Sequence, residues 1–231
     1  MVVLAWVMVG VGAAVQAMTG FGFSLVSAPF LIASYHAPLG IEINLVLSVA
    51  LNVILLARGH HLVTRRAAGA LFVPAALATV AIGLVLRASA GAAWTIAAGA
   101  LCLAGTLVVW SGISFPRLRG PLATVVVGGL SGAMNVTTGV GGPPVVLFAV
   151  NARWEPATSR ATMQAYFLGV NAVGLAILGP PAELPLPLLA AVVVGAPLGL
   201  ALAGRLSVAR VRTASLALAA LGSLLAIARA L

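Results

Sequence analysis

Apolar residues run along this chain in long blocks rather than in stripes. Blocks almost free of charge cover residues 2–17, 20–34, 40–57, 67–86 and 92–114, then 121–136, 139–151, 160–179, 186–204 and 213–230. Most approach the roughly 20 apolar residues that a helix needs to cross about 30 Å of hydrocarbon. Uninterrupted blocks of this length read as membrane helices rather than buried soluble ones. The pattern predicts an all-α polytopic membrane protein. Residues 1–18 lack a basic n-region and are expected to form a first membrane segment rather than a cleaved signal.

The blocks at 20–34 and 139–151 are too short for a full span. Each follows a Gly-rich break, Met18-Thr19-Gly20-Phe21-Gly22 or Asn135-Val136-Thr137-Thr138-Gly139-Val140-Gly141-Gly142. Each therefore forms a broken-helix or re-entrant hairpin with its predecessor, over 2–34 and 121–151, whether or not it fully crosses.

Composition narrows the function class. The 231 residues are 62% hydrophobic and 6% charged, against roughly 25% charged in soluble domains, which leaves no room for a soluble catalytic domain. The net charge of +9 comes from 12 arginines against Glu42, Glu155 and Glu183, with no lysine. In short loops these arginines act as topology signals, and nucleic acid is not expected as a partner. Arg58, Arg65 and Arg66 mark a cytoplasmic loop at 58–66, Arg117 and Arg119 a second, Arg153 and Arg160 a third, and Arg205, Arg210 and Arg212 a fourth. The Arg-free loop around 180–187 reads as external, while Arg87 and Arg229 fall outside against the trend. If the loops at 115–120 and 152–160 both face the cytoplasm, the chain between them must enter and leave on one side, which only a hairpin does. The same count puts the N-terminus outside.

Charge thus predicts two inverted repeats, each a hairpin plus three helices. The first is 1–114 (hairpin 2–34, helices 40–57, 67–86 and 92–114) and the second 121–231 (hairpin 121–151, helices 160–179, 186–204 and 213–230), joined by a cytoplasmic linker at 115–120. Similarity between the halves agrees. Thr19-Gly20-Phe21-Gly22 aligns with Thr138-Gly139-Val140-Gly141 at an offset of 138 − 19 = 119, which also brings Asn52 onto Asn171. Pro74 and a following Gly83 correspond to Pro197 and a following Gly204, the prolines at an offset of 197 − 74 = 123 and the glycines at 204 − 83 = 121. Inverted repeats are a common build of secondary transporters.

A helix broken inside a membrane exposes backbone groups that lipid cannot satisfy, so such breaks persist where they line a cavity. Glycine permits positive φ and close approach to a ligand, and the N–H groups opening the next half-helix favour an anion. Pro143-Pro144 suits a first helical turn, which predicts helix onset between Gly142 and Pro144. The candidate substrate-binding residues are Gln16, Thr19, Gly20, Phe21, Gly22, Phe23 and Ser24 at the first break. Asn135, Thr137, Thr138, Gly139, Gly141, Gly142 and Pro143 serve at the second. Asn52 and Asn171, inside helices, act either as interhelical glue or as substrate contacts. Small residues also let membrane helices pack closely and permit a homodimer.

Other polar residues read as structural. Gln164 is structural or interfacial, and Glu155 is an interfacial ion-pair partner beside Arg153 and Trp154. Trp6, Trp94 and Trp110 face lipid or the interface, and the lone Cys102 is buried filler. Three scattered histidines make a poor metal site. A lysine-free chain has no nucleotide-binding loop, and neither a cofactor nor an enzyme activity is expected.

The segments Gly20-Phe21-Gly22-Phe23 running to Pro29, and Gly139-Val140-Gly141-Gly142-Pro143-Pro144, resemble the signature segments of the sulfite exporter TauE/SafE family. The second is similar to the family's Gly-Gly-Pro-Pro variant. The first departs from the commoner Gly-x-Gly-Gly form, because Phe23 replaces a glycine and narrows that side of the site. The resemblance implies transport of sulfite, sulfoacetate, related organosulfonates or other small organic anions across a bacterial inner (plasma) membrane, by export or import. In that picture the two breaks hold the anion while the halves rock, and Thr138→Val or Gly141→Leu abolishes flux. An anion channel using the same breaks as a filter, or a non-transporting membrane assembly partner, are the alternatives.

Overall fold

With no water in the bilayer core, each apolar block must satisfy its backbone groups internally and so becomes a helix. The computed structural model describes residues 1–87, 92–113 and 120–231. Its α-helices are α1 (Val2–Thr19), α2 (Phe23–Tyr35), α3 (Leu39–Gly59), α4 (Arg65–Arg87) and α5 (Ala92–Ser111), then α6 (Pro121–Thr138), α7 (Gly142–Asn151), α8 (Pro156–Leu178), α9 (Leu186–Leu202) and α10 (Val208–Ala228). Among the described residues there is no strand. Helices α1, α3, α4, α5, α8 and α10 are long and apolar enough to cross a membrane, while α2, α7 and α9 are shorter. The cytoplasmic loop expected from Arg117 and Arg119, most of the linker at 115–120 and the last residue of the block at 92–114 lie outside the described residues.

Two helices begin a turn or more earlier than hydropathy predicts, α8 at Pro156 and α10 at Val208, and α4 begins two residues early at Arg65. Arg65, Arg66, Arg160, Arg210 and Arg212 therefore ride on helices rather than in loops, as does Arg58 near the end of α3. The cause at α8 is Glu155, whose carboxylate accepts from the Ala157 N–H at 3.0 Å and the Thr158 N–H at 2.7 Å. Glu155 is therefore a helix cap, not the ion-pair partner of Arg153. Those two N–H groups hold its carboxyl below the usual carboxylate range.

Helix α1 packs against α9, α6 against α4, α4 and α3 against α8, α5 against α10, and α2 against α1, α3 and α10. One buried cluster binds α1, α2, α3 and α9 through Ala13, Phe23, Leu47 and Val192. Another binds α4, α6, α7 and α8 through Ala75, Val127, Val145 and Val170. A third gathers Cys102, Val140, Leu45 and Ala219, so Cys102 is buried as expected. Trp94 is a correction: it is 6% exposed, and its Nε1–H donates to the Thr137 carbonyl at 3.0 Å, whereas Trp110 is exposed.

Lipid is as apolar as leucine, so these helices associate through close packing rather than through removal of apolar surface from water. Glycine sets the approach. A Cβ on Gly132 would meet the Ala75 carbonyl and one on Gly128 the Leu71 carbonyl, which brings α6 onto α4. Likewise Gly195 and Gly199 bring α9 onto Gly10 and Ala14 of α1. Pro74 and Pro197 both lie inside helices, but the glycine half of that match fails. Gly83 packs under Ile177 within α4, whereas Gly204 lies beyond the end of α9 at φ 85°.

Gly132→Val should push α4 off α6 and cost about 1–3 kcal/mol, read as a lower unfolding temperature in detergent. Gly69→Ala on α4, where nothing lies within 4 Å, should leave it unchanged or slightly higher. The Glu155 cap, with its lowered pKa, is intact above the usual carboxylate range and is lost as pH falls through that lower value. Protection of the Ala157 and Thr158 amides from hydrogen exchange, relative to the unstructured rate at each pH, should fall over that acidic window in wild type, and Glu155→Gln should leave it independent of pH there.

Candidate functional site

Both breaks are built the same way. Helix α1 ends at Gly20, left-handed at φ 88°, whose N–H donates to the Gln16 carbonyl at 2.7 Å. Helix α6 ends at Gly139, φ 75°, whose N–H donates to the Asn135 carbonyl at 2.8 Å. A threonine steadies each turn. Thr19 Oγ1 accepts from the Phe21 N–H at 3.4 Å and Thr138 Oγ1 from the Val140 N–H at 2.9 Å, and each hydroxyl also bonds back into its own helix. The restarts differ. Gly22 is left-handed at φ 111° but Gly141 is not, at φ −92°. Helix α7 opens at Gly142, as expected, yet Pro143 and Pro144 carry no N–H, so its first turn offers fewer donors than that of α2.

The two long helices α3 and α8 cross the breaks and clamp them with amides. Gln164 of α8 donates from Nε2 to the Gly20 carbonyl at 2.9 Å. Asn44 of α3 donates from Nδ2 to the Gly139 carbonyl at 3.1 Å and to Ser24 Oγ at 3.1 Å. Gln16 is the hub: its Nε2 donates to Asn52 Oδ1 and to Gln164 Oε1, both at 2.9 Å, and its Oε1 accepts the Phe23 N–H at 3.2 Å. A backbone N–H can only donate, so Phe23 fixes which way the Gln16 amide points. That in turn makes Asn52 turn its oxygen toward Gln16 and its NH2 away. On the other side Asn135 Nδ2 donates to Asn171 Oδ1 at 2.9 Å, again leaving the Asn171 NH2 directed elsewhere. Among the described residues neither NH2 donates to a protein atom.

Both NH2 groups belong to residues lining a cavity of about 30 Å³ between the breaks. Ten of the sequence candidates line it: Gln16, Phe21, Gly22, Ser24, Asn52, Asn135, Gly141, Gly142, Pro143 and Asn171. The others stand behind its wall. Thr19, Gly20, Thr138 and Gly139 form the turns, Phe23 fixes Gln16, and the Thr137 hydroxyl bonds the Ala133 carbonyl at 2.8 Å. Leu25, Ser48, Val109, Val140 and Phe167 line the cavity without having been candidates. Asn44 and Gln164 were missed as clamps, and Gln164 is structural but not interfacial, being 3% exposed. Twelve of the fifteen lining residues fall into six pairs separated by 119, as 171 − 52 = 119: Gln16 with Asn135, Phe21 with Val140, Gly22 with Gly141, Ser24 with Pro143, Ser48 with Phe167, and Asn52 with Asn171. The 119 offset, carried from the candidate Phe21 to a chemically unlike residue, would have found Val140, whereas Ser48 and Phe167 map only onto each other.

Gln16→Leu strands the Phe23 N–H and removes both Nε2 bonds, at about 1–3 kcal/mol per buried group left unpaired. It should lower the unfolding temperature more than Asn135→Leu, which loses one bond. Thr138→Val should likewise act on stability rather than on anion contact, because the hydroxyl caps Val140 and does not line the cavity.

No curated protein and no solved structure matches this sequence. A family model does: that of the sulfite exporter TauE/SafE matches residues 4–226, which include both breaks, both clamping helices and every residue lining the cavity. The chain therefore belongs to the sulfite exporter TauE/SafE family of membrane transporters.

Proposed function

We propose that the chain is a secondary transporter carrying a small oxyanion, sulfite or an organosulfonate such as sulfoacetate, across a bacterial inner membrane by alternating access. The observation that carries this reading is the cavity between the breaks, lined by six residue pairs at one constant separation. Such a spacing is what a duplicated unit produces, with repeats at 1–114 and 121–231. The packing supports it: α1 on α9 has its counterpart in α6 on α4, while α3 on α8 and α5 on α10 pair equivalent helices. The arginine distribution supports an inverted arrangement, with the N-terminus outside, the loop at 58–66 cytoplasmic and each hairpin dipping in from its own side.

The donor set suits an anion. Asn52 and Asn171, whose NH2 groups donate to no described protein atom, Ser24 and Ser48, whose hydroxyls lie 3.1 Å apart, and Gly22 at the opening of α2 all line one small space. Among the described residues no charged side chain lines it, so neutral dipoles carry the balance. The space holds about two water molecules, so binding requires the halves to part. Val140, 1% exposed within the third cluster, is part of its wall, and so small a space favours a transporter over an open channel.

Purified protein in liposomes should move sulfite, thiosulfate or sulfoacetate in preference to sulfate. Asn52→Leu and Asn171→Leu should each cut that flux about ten- to a hundredfold, the weight of a hydrogen bond to a charged group. Undiminished flux in both variants would refute the site.

A further inference from the structure

The central cavity has a neighbour that no charge-free site explains. A surface cavity of about 170 Å³ lies beside it, lined by Arg58, Arg160, Gln164, Gly20 and Gln16, and Gln16 also lines the central cavity. One amide therefore separates the two spaces. Arg160 is not simply a solvated loop residue. Its aliphatic stem lies over Gly20, where a Cβ would collide with Arg160 Cγ, so the missing side chain at the first break is the seat of this arginine. Arg160 and Gln164 are four residues apart on α8 and share one face. That face leads from a guanidinium at the surface, through the amide that clamps Gly20, to Gln16.

No carboxylate lines this cavity. Glu155, whose charge reaches Arg160, has its oxygens engaged by the Ala157 and Thr158 N–H groups. The arrangement is also one-sided. At the 119 offset, Arg160 falls on Ile41 (160 − 119 = 41) and Gln164 on Leu45 (164 − 119 = 45), both 0% exposed in the apolar core. At that offset, among the described residues, the second break has no cationic counterpart.

We propose that Arg58 and Arg160 form a second oxyanion site, an entry site that loads the central cavity from the arginine-rich side. It rests on the transport reading above and, with those arginines cytoplasmic, places the entry site on the cytoplasmic face. Two guanidiniums capture an oxyanion through charge-assisted hydrogen bonds and concentrate it at the mouth.

The same chemistry would hold a lipid phosphate, and the test separates the two. Sulfite transport is measured in inverted and right-side-out membrane vesicles, and in liposomes with and without anionic lipid, for Arg58→Gln, for Arg160→Met, which keeps the stem over Gly20, and for Arg205→Gln as control. For sulfite offered on the cytoplasmic face, KM should rise about tenfold in each of the first two variants, with kcat unchanged and the effect shrinking at high salt. KM from the opposite face, and the control, should not change. An unchanged KM in both variants, or an equal rise from both faces, overturns the entry site. So does a rise that appears only with anionic lipid, which would assign the arginines to lipid phosphate. Wild-type protein that moves no sulfite would sink the transport reading instead. Calorimetric sulfite binding, weakened or not by the double variant, then decides the entry site by itself.

Discussion

A helix interrupted inside a membrane must find partners for the backbone groups it strands, and everything else in this structure depends on how that is done. Here the partners come from the two long helices that cross the breaks. Gln164 of α8 holds the Gly20 carbonyl and Asn44 of α3 holds the Gly139 carbonyl, while threonine hydroxyls cap the turns from within. Each break is thus fastened to the other half of the chain. An unpaired buried group costs several kcal/mol in an apolar medium, so the clamps oblige α3 and α8 to lie where they do, and with them Asn52 and Asn171. The cavity is a by-product of satisfying the breaks, and its free NH2 groups are what remains once the clamps have taken their share.

That origin explains the chemistry of the space. A site made from turn glycines, amides and hydroxyls is polar yet uncharged, which suits the transient anion binding proposed above. The two ends are not alike, however. Ser24 and Ser48 correspond to Pro143 and Phe167 at the separation of 119, and the prolines strip donors from α7. One end of the space is therefore richer in donors than the other.

Much of this was legible in the amino-acid order. Block length and hydropathy located all ten described helices, because crossing hydrocarbon leaves no other use for such runs. Glycine-rich interruptions located both breaks. Helix starts were less legible: Glu155 is an uncommon capping residue, so α8 began before its expected place. The clamps had no local signal at all, since Asn44 and Gln164 act on glycines 95 and 144 residues away. Nor does a threonine at a break say whether its hydroxyl faces a ligand or closes a turn, and Thr19 and Thr138 both close turns. Trp94 misled in the same way: an aromatic near a helix start suggests an interface, but its N–H is committed to the Thr137 carbonyl.

The central claim is that the two breaks enclose a single anion site between Asn52 and Asn171. It is tested most directly by a structure determined with selenite, the heavier congener of sulfite, using its anomalous signal. One strong peak within hydrogen-bonding distance of Asn52 Nδ2 and Asn171 Nδ2 is the predicted result. A saturated protein whose peak lies elsewhere, with the space between the two asparagines empty, would contradict it.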